Sequence, residues 1–187
     1  MSEHSKSFKD KEEFRKANFA LTEFQRRHNI IRKDYELLLE ITDSYQDENK
    51  KFDALYRASL KGFLSLIESD IFGLNHIDTY EGYSDRQSFE DKFKKTFKRV
   101  CQTWNKNEII QQYLDSKYGL LKSIKSKRDK LIHPKTTEDI VIASSKDFLE
   151  LKTAFEDYTK LLHSIMDNFF ISIEISNRDE IIDLFKK

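Results

Sequence analysis

The chain contains few of the residues that interrupt helices or cross-link chains. Its 187 residues include one cysteine, one proline and four glycines. A lone Cys101 excludes an intrachain disulfide and favours a reducing compartment. Because proline and glycine are the strongest helix breakers, their scarcity allows long uninterrupted helices.

Long apolar runs are also missing. No stretch approaches the roughly 20 apolar residues that a membrane span needs. The first residues, Met1–Lys6, have no apolar core of the kind found in signal peptides. We therefore expect a soluble, cytoplasmic protein without a membrane partner.

Motifs for metals and nucleotide cofactors do not occur either. The five histidines show no ligand spacing, and Cys101 has no partner cysteine. Four scattered glycines form no phosphate loop. We expect no metal and no cofactor.

Helical periodicity is abundant, and it begins with a long N-terminal segment. Apolar residues follow a 3-4 spacing without a slip from Phe14 to Tyr45. This heptad seam predicts packing against another helix, of the same chain or of a second copy. His28 lies on the seam and is predicted to be a polar core residue that sets the register.

Further segments of the chain have helical patterns and clear end signals. The second predicted helix runs over about 52–71, with Gly73 as its end signal, and the third begins at a Ser88 cap. The fourth covers about 107–132, with a kink or break at 115–119. The fifth runs from a Ser145 cap to about 175, and a short tail helix follows at 179–185. Trp104 and the phenylalanines of the third helix fit a core better than platforms for nucleobases. The predicted fold class is all-α, an up-and-down helical bundle of four to five main helices with a long N-terminal heptad helix. Residues 1–50 are expected to form a helical extension and residues 51–187 the bundle.

The charge is zero overall but unevenly distributed. Residues 92–135 contain 13 Lys/Arg against three acids, a local charge of +10, whereas residues 136–187 carry −5. Such segregation is typical of a protein that binds a polyanion. The alternative is that the basic segment pairs with acidic helices of the same molecule.

Arg128 and His133 lie five residues apart in the most basic part of the chain. Their side chains fit metal-free RNA cleavage, in which the 2′-OH attacks the adjacent phosphorus. Histidine exchanges protons near neutral pH, and the planar guanidinium of arginine stabilises charge on the phosphate. On one ideal helix the two side chains are about 140° apart in azimuth and about 7.5 Å apart in rise. Pro134 releases His133 from helical geometry, and a two-fold dimer would set two such pairs around one cleft.

The segment Arg128-Asp129-Lys130-Leu131-Ile132-His133 resembles the R-x4-6-H motif of the HEPN family of small helical-bundle proteins, with a four-residue spacer and Asp in the polar slot. The stretch 57–68, which ends at Glu68, is similar to an earlier amphipathic helix in that family. The resemblance covers about residues 52–170. Some members carry Tyr two residues after His. Lys135 stands there in this chain, which puts that group's control by a nucleotidyltransferase partner in doubt.

The resemblance implies a metal-independent endoribonuclease that acts on RNA as a homodimer, in a toxin or phage-defence role. His133 would transfer the proton and Arg128 would clamp the phosphate. Asp129 and Glu68 would support the site, and the basic residues Lys125, Lys127, Lys130 and Lys135 would hold RNA. Nothing in the sequence identifies a protein inhibitor.

Two alternatives stay open at this point. Some members of the family are inactive, so the chain could be a catalytically silent RNA-binding or oligomerisation module. Without any family role, Arg128 and Asp129 would form surface ion pairs, and His133 would cap the C-terminus of a helix, where a cation is favourable.

Overall fold

The computed structural model describes residues 11–104, 106–140 and 142–176, with all side chains except those of residues 11, 14 and 167–176. This part of the chain contains no strand and six α-helices: α1 (Lys11–Ser44), α2 (Asn49–Ile77), α3 (Phe89–Thr103), α4 (Asn107–Ser116), α5 (Tyr118–Ile132) and α6 (Ser145–Ser176). A 3₁₀ turn, Thr137–Asp139, lies between α5 and α6. The predicted all-α helical bundle is confirmed. The predicted tail helix at 179–185 lies outside the described residues.

The heptad seam of α1 packs within the chain rather than on a second copy. Its residues Leu21, Phe24 and Tyr35 are buried in the same core as α2 and α6. Tyr35 lies beside Gly62 of α2, and Phe24 lies beside Gly73, so the two helices run antiparallel. The question that the sequence left open is answered for this face of α1, whose partner is α2.

Gly73 lies inside α2, which continues to Ile77. The prediction that α2 ends near residue 71 is therefore wrong. A Cβ atom on Gly73 would lie 2.5 Å from Cδ2 of Phe24, which is closer than any side chain tolerates. The glycine is explained by the close approach of α1, a tertiary requirement that mimics a helix-end signal in the sequence.

A buried polar network joins α1, α2 and α6. Nδ1 of His28 lies 3.0 Å from each carboxylate oxygen of Asp70, and Tyr158 donates its hydroxyl to the same carboxylate at 2.7 Å. All three side chains are buried. The prediction that His28 is a polar core residue is confirmed.

The helix ends and the aromatic core follow local rules. Ser88 caps α3 by accepting a hydrogen bond from the Asp91 N–H at 3.1 Å, as predicted. The cap of α6 is Ser144, not Ser145, because the Asp147 N–H donates to the Ser144 hydroxyl at 3.1 Å. The predicted break near 115–119 is confirmed, since α4 and α5 are separate helices that meet at Lys117. Trp104 of the third helical segment is buried, as are Phe89, Phe93 and Phe97, which confirms that they belong to the core.

The direction of α5 places the C-terminal half of this helix between α2 and α6. Lys117 contacts Asp157, and Lys127 contacts Asp147, so α5 runs antiparallel to α6. Ring contacts pair Phe52 with Phe148 and Phe63 with Phe155, so α6 runs parallel to α2. The residues of the predicted site therefore lie at the end of α5 that adjoins the middle of α2 and the beginning of α6.

Candidate functional site

Arg128 occupies a position on α5 that would otherwise hold an apolar side chain. Leu121 and Ile124 are buried, and Leu131 packs against the core, so Arg128 continues their 3-4 spacing. Its side chain is only 15% exposed, and its Nη2 donates to Oε1 of Glu68 at 2.9 Å. The guanidinium is therefore positioned by α2 rather than free in solvent.

Glu68 and Asp129 surround the guanidinium of Arg128 with negative charge. Glu68 is about half exposed on α2, and Oδ1 of Asp129 lies 3.5 Å from Nε of Arg128. That Nε atom is buried without a hydrogen-bond partner among the described residues. Because a guanidinium has five N–H groups in a fixed fork, the single bond to Glu68 leaves donors for a ligand.

His133 ends α5 and has an exposed imidazole. Its backbone leaves helical geometry at φ −125° and ψ 58°, directly before Pro134. Its N–H still donates to the carbonyl of Asp129 at 3.0 Å. In the described part of the chain the imidazole itself takes part in no hydrogen bond or ion pair. The imidazole of His133 is thus accessible to solvent at a defined position after α5.

One copy of the chain does not bring Arg128 and His133 together. The helix is regular through Ile132, so the Cα positions of the two residues keep the azimuthal separation of about 140° that an ideal helix gives them, although the backbone of His133 itself is no longer helical. The described interactions join Arg128 to Glu68 and Asp129, and none joins it to His133. The described interactions of one copy therefore hold Arg128 against α2 and leave His133 at the helix end without a contact to it.

The chain after Pro134 forms a tight turn closed by Asp139. The carboxylate of Asp139 accepts from the N–H of Lys135 at 2.8 Å and from the N–H of Thr136 at 3.1 Å. These two bonds, with the charges of Lys130 and Lys135, lower the pKa of Asp139. The two bonds hold the backbone of Lys135 and Thr136 against the carboxylate of Asp139 directly after Pro134.

The four lysines predicted to bind nucleic acid fall into two groups. Lys127 contacts Asp147 at 2.6 Å and Glu150 at 3.0 Å, and Lys125 pairs with Asp129. Burial disfavours the charge of Lys127, yet its hydrogen bonds to the two carboxylates raise the pKa of its ammonium group. By contrast, Lys130 and Lys135 are exposed. Of the four, only these last two are exposed and form no ion pair with another described residue, although their charges act on the nearby carboxylate of Asp139.

About half of the cations of the basic segment are paired with carboxylates of the same molecule. Seven of its 13 cations form ion pairs with other described residues, namely Lys94, Arg99, Lys117, Lys122, Lys125, Lys127 and Arg128. Their partners include acids of α2, α3 and α6 that lie far away in sequence. The +10 charge of the segment therefore overstates the positive potential that a polyanion would meet.

Two residues of α2 belong to the same surface but were not found by the sequence reasoning. Phe72 is 48% exposed, and its ring centroid lies 4.3 Å from that of His76. Phe72 follows Glu68 by four residues, and His76 follows Phe72 by four, which places all three on one face of α2. The spacing of four residues is visible in the sequence. It was not recognised because the helix was predicted to end at about residue 71, before Phe72 and His76.

Three other kinds of site were considered among the described residues: a groove, a metal site and a membrane-spanning helix. A shallow groove of about 180 Å³ lies between α4 and α6 and is lined in part by Tyr113, Lys117 and Asp157, away from Arg128. The described residues contain no group of three or more His, Cys, Asp or Glu side chains arranged to hold a metal ion. None of the described helices is both long and apolar enough to cross a membrane.

Comparison with known proteins adds no assignment. The chain matches no family model, no curated protein and no solved structure.

Proposed function

We propose that the chain is a metal-independent endoribonuclease that cleaves RNA at a cleft formed by two copies. The observation that carries the proposal is the placement of Arg128. It is a mostly buried arginine held by Glu68 at 2.9 Å, on the same helix that ends at an exposed His133. A buried arginine tied to a carboxylate, with donors to spare, suits a phosphate, and a histidine in solvent suits proton transfer.

The second copy follows from the geometry of α5. The Cα positions of Arg128 and His133 lie about 140° apart around the axis of α5, so we expect one copy to offer either the clamp or the proton carrier to a given phosphate. A two-fold axis near the end of α5 would place two Arg128 and two His133 around one phosphodiester. The proposed homodimer therefore completes a site that each copy holds in part.

The chemistry then needs no further group. A neutral His133 accepts the proton of the 2′-OH while that oxygen forms a bond to phosphorus. The bond from phosphorus to the 5′-oxygen breaks, and that oxygen takes a proton from the protonated His133 of the second copy. Arg128 donates hydrogen bonds to the non-bridging oxygens, where charge grows in the transition state. The products are a 2′,3′-cyclic phosphate and a 5′-hydroxyl, and the two histidines have exchanged protonation states.

The test is incubation of the full chain with mixed RNA in EDTA, followed by analysis of the ends. Cleavage with 2′,3′-cyclic phosphate ends is expected, and it should disappear in His133→Ala and in Arg128→Ala. The matched control is His163→Ala, which removes an exposed histidine of α6 and should leave cleavage unchanged. Cleavage that survives His133→Ala would contradict the proposal.

The dependence on two copies has a separate test. Co-refolding wild-type chain with a large excess of His133→Ala places most wild-type chains in mixed pairs. If both histidines are needed, activity per wild-type chain falls steeply. If it does not change, one copy holds a complete site and the composite cleft is wrong.

A second candidate is a catalytically silent module that binds RNA or mediates assembly. The observation that favours it is that the described contacts of Arg128 go to Glu68 and Asp129 and none joins it to His133. RNA binding without cleavage, unchanged in His133→Ala, would select this candidate over the nuclease.

A further inference from the structure

The outer face of α2 carries Glu68, Phe72 and His76 at successive turns. Phe72 exposes 48% of its surface although it is a large aromatic residue. The rings of Phe72 and His76 lie 4.3 Å apart between centroids and are tilted by 52°. The two rings thus form one small aromatic surface on a regular helix, held away from the core.

The hydrogen bond of His76 fixes which of its nitrogens is available. Nδ1 lies 2.9 Å from the backbone carbonyl oxygen of Phe72. Because a carbonyl oxygen only accepts, Nδ1 carries the proton that is donated. Nε2 is left without a partner among the described residues, and in the neutral ring it accepts. The aromatic surface therefore has one polar atom at its edge.

Two guanidinium groups contact residues of α2 that are close to Phe72 in sequence. Arg128 is held by Glu68, one helical turn or about 6 Å before Phe72 along α2. Nη2 of Arg27 lies only 2.8 Å from the position that a Cβ of Gly73 would occupy. Arg27 is exposed, and the acid on this face, Glu68, is already paired with Arg128. One arginine thus contacts the residue one turn before Phe72 on α2, and a second lies beside Gly73, the residue that follows it.

We infer that Phe72 and His76 form a stacking site for an unpaired base of single-stranded RNA, with the flanking phosphates on Arg128 and Arg27. This inference rests on the proposed function for the identity of the ligand and names where a nucleotide next to the reacting phosphate binds. A ring face is the surface on which any base stacks, and the positive charge of the two arginines matches a backbone with one negative charge per nucleotide. Nε2 of His76 lies at the ring edge, where it meets the hydrogen-bonding edge of a base.

The experiment measures the affinity of the full chain for a short 2′-O-methyl oligouridylate, which cannot be cleaved because its 2′-oxygen is blocked. A second probe is an abasic oligomer of the same length and charge. Phe72→Ala should weaken binding of the oligouridylate by roughly 5- to 100-fold and leave binding of the abasic oligomer unchanged. The matched control is Phe19→Ala, which removes an exposed phenylalanine from α1, where no stacking site is inferred, and should change neither.

Two further variants separate stacking from simple apolar contact and from misfolding. Phe72→Trp keeps a ring face and should retain or strengthen binding. Phe72→Leu keeps apolar area without a ring and should weaken binding like alanine. If the Ala, Trp and Leu variants of Phe72 all bound the oligouridylate with wild-type affinity, the stacking site would be overturned. The nuclease proposal would not be affected. If the wild-type chain cleaves mixed RNA but does not bind the oligouridylate, the stacking site alone is overturned, whereas absence of both binding and cleavage would overturn both proposals.

Discussion

Nδ1 of His28 lies 3.0 Å from both carboxylate oxygens of Asp70, so a histidine of α1 and an aspartate of α2 meet inside the core. Tyr158 of α6 donates to the same carboxylate at 2.7 Å. Each of the three side chains is more than nine-tenths buried. A carboxylate with these partners fixes the relative positions of three helices, because displacement of any one helix leaves a buried polar group unpaired.

Replacement of Asp70 by alanine should lower the free energy of unfolding by about 3–5 kcal/mol, because it leaves His28 and Tyr158 buried without their partner. Urea denaturation monitored by circular dichroism measures the change. The control is Asp34→Ala at an exposed position of α1, expected within about 0.5 kcal/mol of wild type. A loss below about 1 kcal/mol for Asp70→Ala would show that the network contributes little.

Two buried tyrosines should respond in opposite ways to removal of the hydroxyl. Tyr158→Phe deletes the donor to Asp70 and should cost about 1.5–3 kcal/mol, the range for a hydrogen bond to a charged group. Tyr35→Phe removes a buried hydroxyl that has no partner among the described residues, and it should be neutral or stabilising. Thermal melts of the two variants compare them directly, and equal destabilisation would refute the assigned bonds.

Two helical glycines offer a similar contrast. Gly73→Ala places a methyl group 2.5 Å from Phe24 and should cost about 1–3 kcal/mol despite the better helix propensity of alanine. Gly119→Ala meets nothing within 4 Å, so it should stabilise α5 by up to about 1 kcal/mol. The difference in melting temperature between the variants tests the close approach of α1 and α2. A stabilising Gly73→Ala would mean that the helices do not approach as described.

The fold was predictable from the sequence where the signal is local or periodic. The 3-4 spacing of Leu21, Phe24 and His28 reports a buried stripe, and Ser88 followed by acids reports a helix start. These patterns arise within one helix and need no knowledge of its neighbour. The partner of the stripe was left open, because the periodicity of one helix does not say which surface covers it.

The errors concern residues whose role depends on another helix. A glycine at position 73 can mark the end of a helix or allow another helix to approach closely, and the local sequence does not distinguish the two. The residue that decides between them is Phe24, which lies 49 positions earlier in the chain. Lys127 was counted with the basic segment, yet its carboxylate partners belong to α6. Charge along a sequence therefore predicts the potential of a surface only where the cations have no acids beside them in space.

Alkaline pH should destabilise the protein beyond the ordinary effect of lysine titration. Burial raises the pKa of Tyr56 from 10.0 to about 12, and burial also raises the pKa of Tyr158. Above pH 10 the unfolded chain loses these protons first, so the folded state binds more protons and its stability falls as pH rises. Urea unfolding at steps between pH 8 and pH 11.5 follows the decline. Tyr56→Phe should make the decline shallower, and an unchanged slope would contradict the shift.

Salt dependence of RNA binding should separate the exposed lysines from the paired ones. Lys130 and Lys135 are exposed, so Lys130→Ala and Lys135→Ala should each reduce the slope of log affinity against log salt by roughly one if the lysine contacts a phosphate. Lys127 is already neutralised by Asp147 and Glu150, so Lys127→Ala should leave the slope unchanged.

The same three variants should also differ in stability, with Lys127→Ala as the one that destabilises the fold. Removal of Lys127 leaves two partly buried carboxylates facing each other, so the unfolding free energy should fall, whereas Lys130→Ala and Lys135→Ala should stay within about 0.5 kcal/mol of wild type. Salt titrations by fluorescence anisotropy, paired with urea melts, measure both quantities on the same samples. If Lys127→Ala reduced the salt slope and left stability intact, RNA would have to displace Asp147 and Glu150 from Lys127. The basic end of α5 would then be a more complete RNA surface than its ion pairs indicate.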